Sequence, residues 1–318
     1  MNRIGIAGLG PQVPGLLSLL QETKTDAALW DLDDIESDFG SPRVGLDVLA
    51  DTPVIFFCPP IGRAREVARE LGEIVTGQHV LIHFTRELEP DRPGVTLSRL
   101  LRQETATHRL GFLTGPMRHD DIAKGMSGAG ACSTNFPEVQ ELLSDILVSQ
   151  RFRLYKSSDI LGSELAACLT RAIAFVGGIA HELQLGPSIG STLFTRGLAE
   201  TSHAVTRLGG QPRTTFGMAG SGNLFMDIHG DGSREFRLGR EAARHGSLTP
   251  IIEDGASATT IASLERTNDL ALSVGKGNED LGIFRAVRGL INGEMSIMVA
   301  IEYLMNPVSY THLRAHET

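Results

Sequence analysis

The chain of 318 residues and 34.2 kDa is 41% apolar and 21% charged, which excludes general disorder and a coiled coil and leaves room for a sizeable core. Its 29 basic residues stand against 38 acidic ones, a net charge of -9, which speaks against a nucleic-acid partner. Only Lys24, Lys124, Lys156 and Lys276 are lysines, so chemistry that runs on a lysine has few positions to use. Cys58, Cys132 and Cys168 are far apart in apolar surroundings and match neither a disulfide framework nor a zinc spacing. A reducing, cytoplasmic setting is expected. Met1 leads straight into a glycine turn, and no stretch reaches 18 uninterrupted apolar residues, so neither an export signal nor a membrane span is expected.

Taken in chain order, Arg3-Ile-Gly-Ile-Ala-Gly8 opens a β-rich run, and Asp26–Trp30, Val54–Phe57 and Val80–Phe84 repeat the signal. Helical patterns fill the intervals at Leu16–Glu22 and Ala64–Val75, and this β-α-β alternation predicts an α/β, Rossmann-like doubly wound parallel sheet. The character changes near Gln150. A helical run over Ser158–Leu185 enters through Ser157-Ser158-Asp159, which offers N-cap side chains. Further helices are expected at Ser191–Leu208, Phe236–His245, Ala258–Val274 and Phe284–Ile291. The expected organisation is a dinucleotide-binding domain over 1–150 and an all-helical substrate and dimerisation domain over 151–306. Residues 307–318, Pro307 to Thr318, break the helical pattern and read as a translated adapter sequence rather than native protein. His312 and His316, four apart within it, are therefore not taken as a metal pair, and no metal is expected.

Gly8-Leu-Gly10-Pro11-Gln12-Val13 lies between a predicted strand and a predicted helix, where a glycine turn brings a pyrophosphate onto a helix N-terminus. Val13 occupies the third-glycine position, and Pro11 and Pro14 lack N–H groups where phosphate donors are wanted. Asp31, after Trp30, stands where a carboxylate accepts from the ribose hydroxyls, and no arginine is near it in sequence to offset a 2′-phosphate. NAD is therefore expected over NADP. The alternative is an ordinary first β-α turn with a solvated acidic loop.

The second half carries a more specific pattern. Ser158-Asp-Ile-Leu-Gly-Ser-Glu-Leu-Ala-Ala-Cys-Leu169, Leu193-Phe-Thr-Arg-Gly-Leu-Ala-Glu200, Gly217-Met-Ala-Gly-Ser-Gly-Asn-Leu224 and Ser233-Arg234 occur in an order and spacing that resemble the NAD(P)-dependent glycerol-3-phosphate dehydrogenase family. Cys58-Pro59, Thr85-Arg86-Glu87 and Gly115-Pro116 extend the resemblance to Met1–Met305. It implies a Rossmann domain followed by a helical domain, a homodimer, and an active site in the cleft between the domains. It also implies that Gly8, Gly10, Pro11, Gln12, Val13, Trp30, Asp31, Arg86 and Arg234 hold the dinucleotide. Gly115, Arg171, Ser233, Arg234 and Glu235 would hold a small substrate, a triose phosphate in that family.

The chemical positions themselves differ. Arg86 stands at the family's first lysine, Thr170 at its proton-transferring lysine, Arg171 at the following Asn, Asn223 at the Asp, and Glu235 at the Asn of a Ser-Arg-Asn triplet. Thr170 brings neither charge nor a suitable pKa, and Arg86 keeps a cation that gives up no proton. Glu235 places a carboxylate where a phosphate would sit, unless Arg171 offsets it. Three readings stay open: a dehydrogenase of glycerol 3-phosphate with rerouted acid–base chemistry; a dehydrogenase of another hydroxy or keto compound, using His229, Asp227 or His119; and a non-catalytic nucleotide- or partner-binding protein.

Overall fold

The computed structural model describes residues 3–33, 43–275 and 281–305. The tail 307–318, with His312 and His316, lies outside them, as does Lys276. Strands Arg3–Ala7 (β1), Asp26–Trp30 (β2), Val54–Phe57 (β3), Val80–His83 (β4), Leu110–Thr114 (β5), Gly128–Ser133 (β6) and Phe152–Ser157 (β7) form one sheet in the order β2-β1-β3-β4-β5-β6-β7. β3, β4 and β5 are buried throughout, as their largely apolar sequences require of strands covered on both faces.

The pairing is parallel except between β5 and β6. The link from β5 to β6 contains only the 5-residue helix His119–Ala123, too short to carry the chain back along the sheet, so the strand that follows runs the other way. β7 takes the sheet to Ser157, past residue 150, and lies last in the strand order with most of its residues exposed or half-buried, as an edge strand.

The helices that position the site are Val13–Glu22 (α1), His119–Ala123 (α2), Ile160–Glu182 (α3), Gly186–Arg207 (α4), Asn223–Asp227 (α5), Arg234–His245 (α6) and Ala258–Ser273 (α7). Among the described residues no strand follows Ser157. Asp159 caps α3, its Oδ1 accepting the Gly162 N–H at 2.9 Å. α3 is long and apolar enough to cross a bilayer, but 89% of its most apolar stretch is buried inside the protein, where it forms the axis of the helical core. Ile160 and Ala167 on the same helix pack into the core of the sheet. The three thiols are unpaired and buried, and burial pushes that of Cys132 up to about 12.

Candidate active site

The chain steps from β1 to β2 on one side and returns to β3 on the other, which opens a crevice at the C-terminal ends of β1 and β3. The glycine turn lies there. Gly8 has φ +85, and a Cβ on Gly10 would run into the Cys58 carbonyl, so both positions demand glycine. The turn spends its donors internally: Gly8 N–H on Trp30 O and Gly10 N–H on Cys58 O, both at 2.8 Å, and Val13 N–H on Gly10 O at 3.1 Å. Leu9 N–H donates to Asp31 Oδ2 at 2.8 Å. With Pro11 lacking a donor, Gln12 keeps the free N–H, and its Oε1 is buried without a partner.

This cradle fits a dinucleotide: the Gln12 amide and the start of α1 would hold its pyrophosphate, and Asp31 would accept from a ribose. The expectation that no arginine serves this corner is corrected by the tertiary fold. Arg63, from the turn Ile61–Arg63 after β3, pairs with Asp33 and approaches Asp31 at 4.0 Å. Arg43 donates to the Asp33 carbonyl at 3.1 Å.

Across the cleft, arginines and carboxylates neutralise one another. Arg171 on α3 pairs with Glu235 on α6, and Arg234 donates to the same Glu235 oxygen at 2.9 Å. Arg234 also meets Glu87 at 2.5 Å, and Arg171 bonds Ser263 Oγ on α7 at 2.9 Å. Burial raises the Glu235 pKa, but Arg171 and Arg234 outweigh it and hold the carboxyl at about 2. Glu87 is likewise held below the ordinary range against its burial by the same two arginines. Arg86 is committed as well, forking onto Asp227 at 3.1 and 2.6 Å.

Two of the residues placed at chemical positions are engaged elsewhere. Thr170 is fully buried, and its hydroxyl donates back to the Ala166 carbonyl at 2.9 Å. Asn223 is fully buried too, its Nδ2 bonding Thr114 Oγ1 and Ala219 O at 2.9 Å while Oδ1 has no partner. Gly115, at φ +127, lies against the backbone of Gly130 in β6. Ser233 caps α6 by accepting the Phe236 N–H at 3.2 Å. His229 stacks on Phe225 at 3.9 Å and lines a separate cavity of about 830 Å³ among the helices, away from the glycine turn.

A smaller cavity of about 280 Å³ lies in the cleft, between Pro11, the start of α2, and the α5–α6 region with Asp227, Ser233 and Arg234. His119 lines it, its ring edge-on to Phe84 at 5.5 Å. Arg118 and Arg237, which sequence reasoning passed over, line it as well. The signal available for Arg118 was the pair Arg118-His119 closely following Gly115-Pro116, a polar dipeptide just past a strand's C-terminal end.

The family model for the NAD-dependent glycerol-3-phosphate dehydrogenase C-terminus matches residues 159–302. A Sinorhizobium fredii protein named glycerol-3-phosphate dehydrogenase [NAD(P)+] is 30% identical over 258 residues, covering 81% of this chain and 76% of its own. Another of that name, from Azorhizobium caulinodans, is 27% identical over 323 residues and 96% of each chain. A crystal structure of glycerol-3-phosphate dehydrogenase from Coxiella burnetii shares the fold with a TM-score of 0.82 at 20% identity, covering 96% of this chain and 99% of that one.

Proposed function

The chain belongs to the NAD(P)-dependent glycerol-3-phosphate dehydrogenase family, and from that premise we propose that it is an NAD(H)-dependent oxidoreductase of a hydroxyl–carbonyl pair whose triose-phosphate chemistry has been lost. One observation carries the reading: in the Arg171–Glu235–Arg234–Glu87 network, built on residues that match the family's phosphate grip in sequence, the charges are already paired. A phosphate entering it meets the Glu235 and Glu87 carboxylates beside the cations, and repulsion offsets attraction. Thr170, where the family has its proton-transferring lysine, offers a buried hydroxyl bound to its own helix.

The bound cofactor supplies or accepts the hydride. Asp31 and Gln12 orient it, and the cleft residues Arg86 and Asp227 set the field in which the substrate oxygen changes charge. The same reading carries a homodimer and a cytoplasmic setting with it. Sedimentation of the purified protein tests the first of these.

The deciding experiment measures NADH binding by calorimetry and NADH oxidation with dihydroxyacetone phosphate. Binding without turnover is the expected result. A kcat of about 10 s⁻¹, ordinary for an enzyme, would show that triose-phosphate chemistry survives by a route other than a lysine. Absence of any nucleotide binding would favour the partner-binding reading instead.

A further inference from the structure

Among the described residues no lysine lines the cleft cavity, yet a proton carrier stands in it. His119 begins α2, and among the described residues its ring nitrogens make no hydrogen bond. Charged groups surround it from each packed element: Arg118 and Asp120 beside it, Arg86 from the loop after β4, Asp227 from α5, and Arg234 and Arg237 from α6. Burial lowers its pKa, with Asp120 opposing and Arg86 adding to the effect, to about 4. The ring is therefore neutral at pH 7, the protonation state of a base.

The cations around His119 are not all spent. Arg86 and Arg234 are held by carboxylates, but among the described residues Arg237 pairs with none: it donates through Nη1 to the Gly232 carbonyl at 2.8 Å. Among the described residues Arg118 reaches only Asp121, at 3.5 Å on its own turn. A planar carboxylate matches a guanidinium fork two bonds at a time. A volume of about 280 Å³ is at the small end for ligand pockets and suits a short molecule.

We propose that His119 is the proton-transferring catalytic residue and that the substrate is a short hydroxy acid whose carboxylate is held by Arg237 and Arg118. The inference rests on the dehydrogenase reading above. In the oxidising direction the hydroxyl O–H bond breaks and its proton passes to the free ring nitrogen of His119. The carbon's hydrogen leaves with its electron pair to the bound nicotinamide, the C–O bond becomes a carbonyl, and the imidazolium then releases its proton to water. Asp227 and Asp120 stabilise the imidazolium while it lasts.

The test observes His119 directly as well as turnover. Histidine ring signals of the NAD-free protein are followed by NMR against pH, with His119→Gln identifying the resonance and oxalate as the carboxylate probe. Oxalate is expected to move the His119 midpoint upward by about one unit or more, because an anion beside the ring favours its charged form, and Arg237→Ala should abolish the shift. With NAD, oxidation of glycerate or lactate should exceed that of glycerol 3-phosphate. His119→Gln should lower kcat about 100-fold or more, with NADH affinity kept and the acid limb of the pH profile lost.

An unmoved His119 signal, or an unchanged kcat in His119→Gln, overturns the proposal while leaving the dehydrogenase reading intact. Oxidation of glycerol 3-phosphate in preference to the hydroxy acids overturns the substrate class. If NADH binds but neither glycerate nor lactate is oxidised, the hydroxy-acid proposal falls while the dehydrogenase reading stands; loss of NADH binding itself is what removes that reading.

Discussion

Arg86 and Asp227, 141 positions apart in the chain, meet as a two-pronged ion pair that joins the loop after β4 to helix α5. Asp227 is buried, and Arg86 also donates to the Ala167 carbonyl of α3 at 3.3 Å, so the pair ties the sheet to the helices at the mouth of the cleft. Asp227→Ala leaves the Arg86 guanidinium, 21% exposed, without the carboxylate that neutralises it. The expected loss is about 3 kcal/mol, seen as a fall of roughly 4 °C in the melting midpoint. A midpoint within a degree of the parent would mean that water takes over the pairing.

Acid should destabilise the protein in two windows. His119 has a folded pKa of about 4, below the ordinary 6.5, so the unfolded chain binds the proton first, and the stability present above pH 6.5 is lost as pH falls toward 4. Glu235, held at about 2 against an ordinary 4.5, contributes stability that is complete above 4.5 and lost as pH falls through 2. Urea unfolding across pH should show His119→Gln flattening the upper window and Glu235→Gln the lower. Neither slope changing would show that other carboxyl groups govern acid unfolding.

NADH should bind more tightly than NADPH, since Asp31 follows β2 beside the glycine turn, where a carboxylate would accept from a ribose, and Arg63 is already paired with Asp33 and Glu66. Asp33→Ala releases Arg63 for a 2′-phosphate and should narrow the preference several-fold, chiefly by improving NADPH. Trp30, the only tryptophan, sits at the end of β2 and serves as the fluorescent reporter for both titrations. NADPH binding unaffected by Asp33→Ala would show that Arg63 does not reach the cofactor.

Thr170→Lys by itself should lower stability without raising the reduction of dihydroxyacetone phosphate. The site is fully buried, and an ammonium placed there is desolvated among the apolar neighbours of α3. A measurable gain in rate would instead place that side chain within reach of the substrate.

The sheet's first four strands, the glycine turn and the long helices were legible because each is written in contiguous residues: apolar runs, a cap at Asp159, glycines where no Cβ fits. β6 escaped because Gly-Ala-Gly-Ala-Cys-Ser carries small side chains rather than β-branched ones, and β7 because an edge strand keeps charge on its open face. The pairing of Glu235 with Arg171, 64 positions apart, was readable because both stand at matched positions of one family motif set, where a new carboxylate calls for a new cation. Arg63 at the ribose corner was not, since no motif flags it and only the fold brings it to Asp33. Thr170 shows the converse: a position matched in sequence says which residue stands there, and its rotamer and hydrogen bonds decide whether the cleft is served by it.

Because Ile160 and Ala167 of α3 lie in the sheet's core while their neighbours on the same helix form the axis of the helical core, the cleft has no loose hinge behind it. One rigid rod is shared by both walls. Opening the cleft by more than side-chain motion would pull these two residues out of apolar contact, so ligands should be admitted by movement of the arginine side chains at its rim. Hydrogen exchange should accordingly report the amides of β3 to β5 and of α3 opening together, at a single free energy, as one cooperative unit.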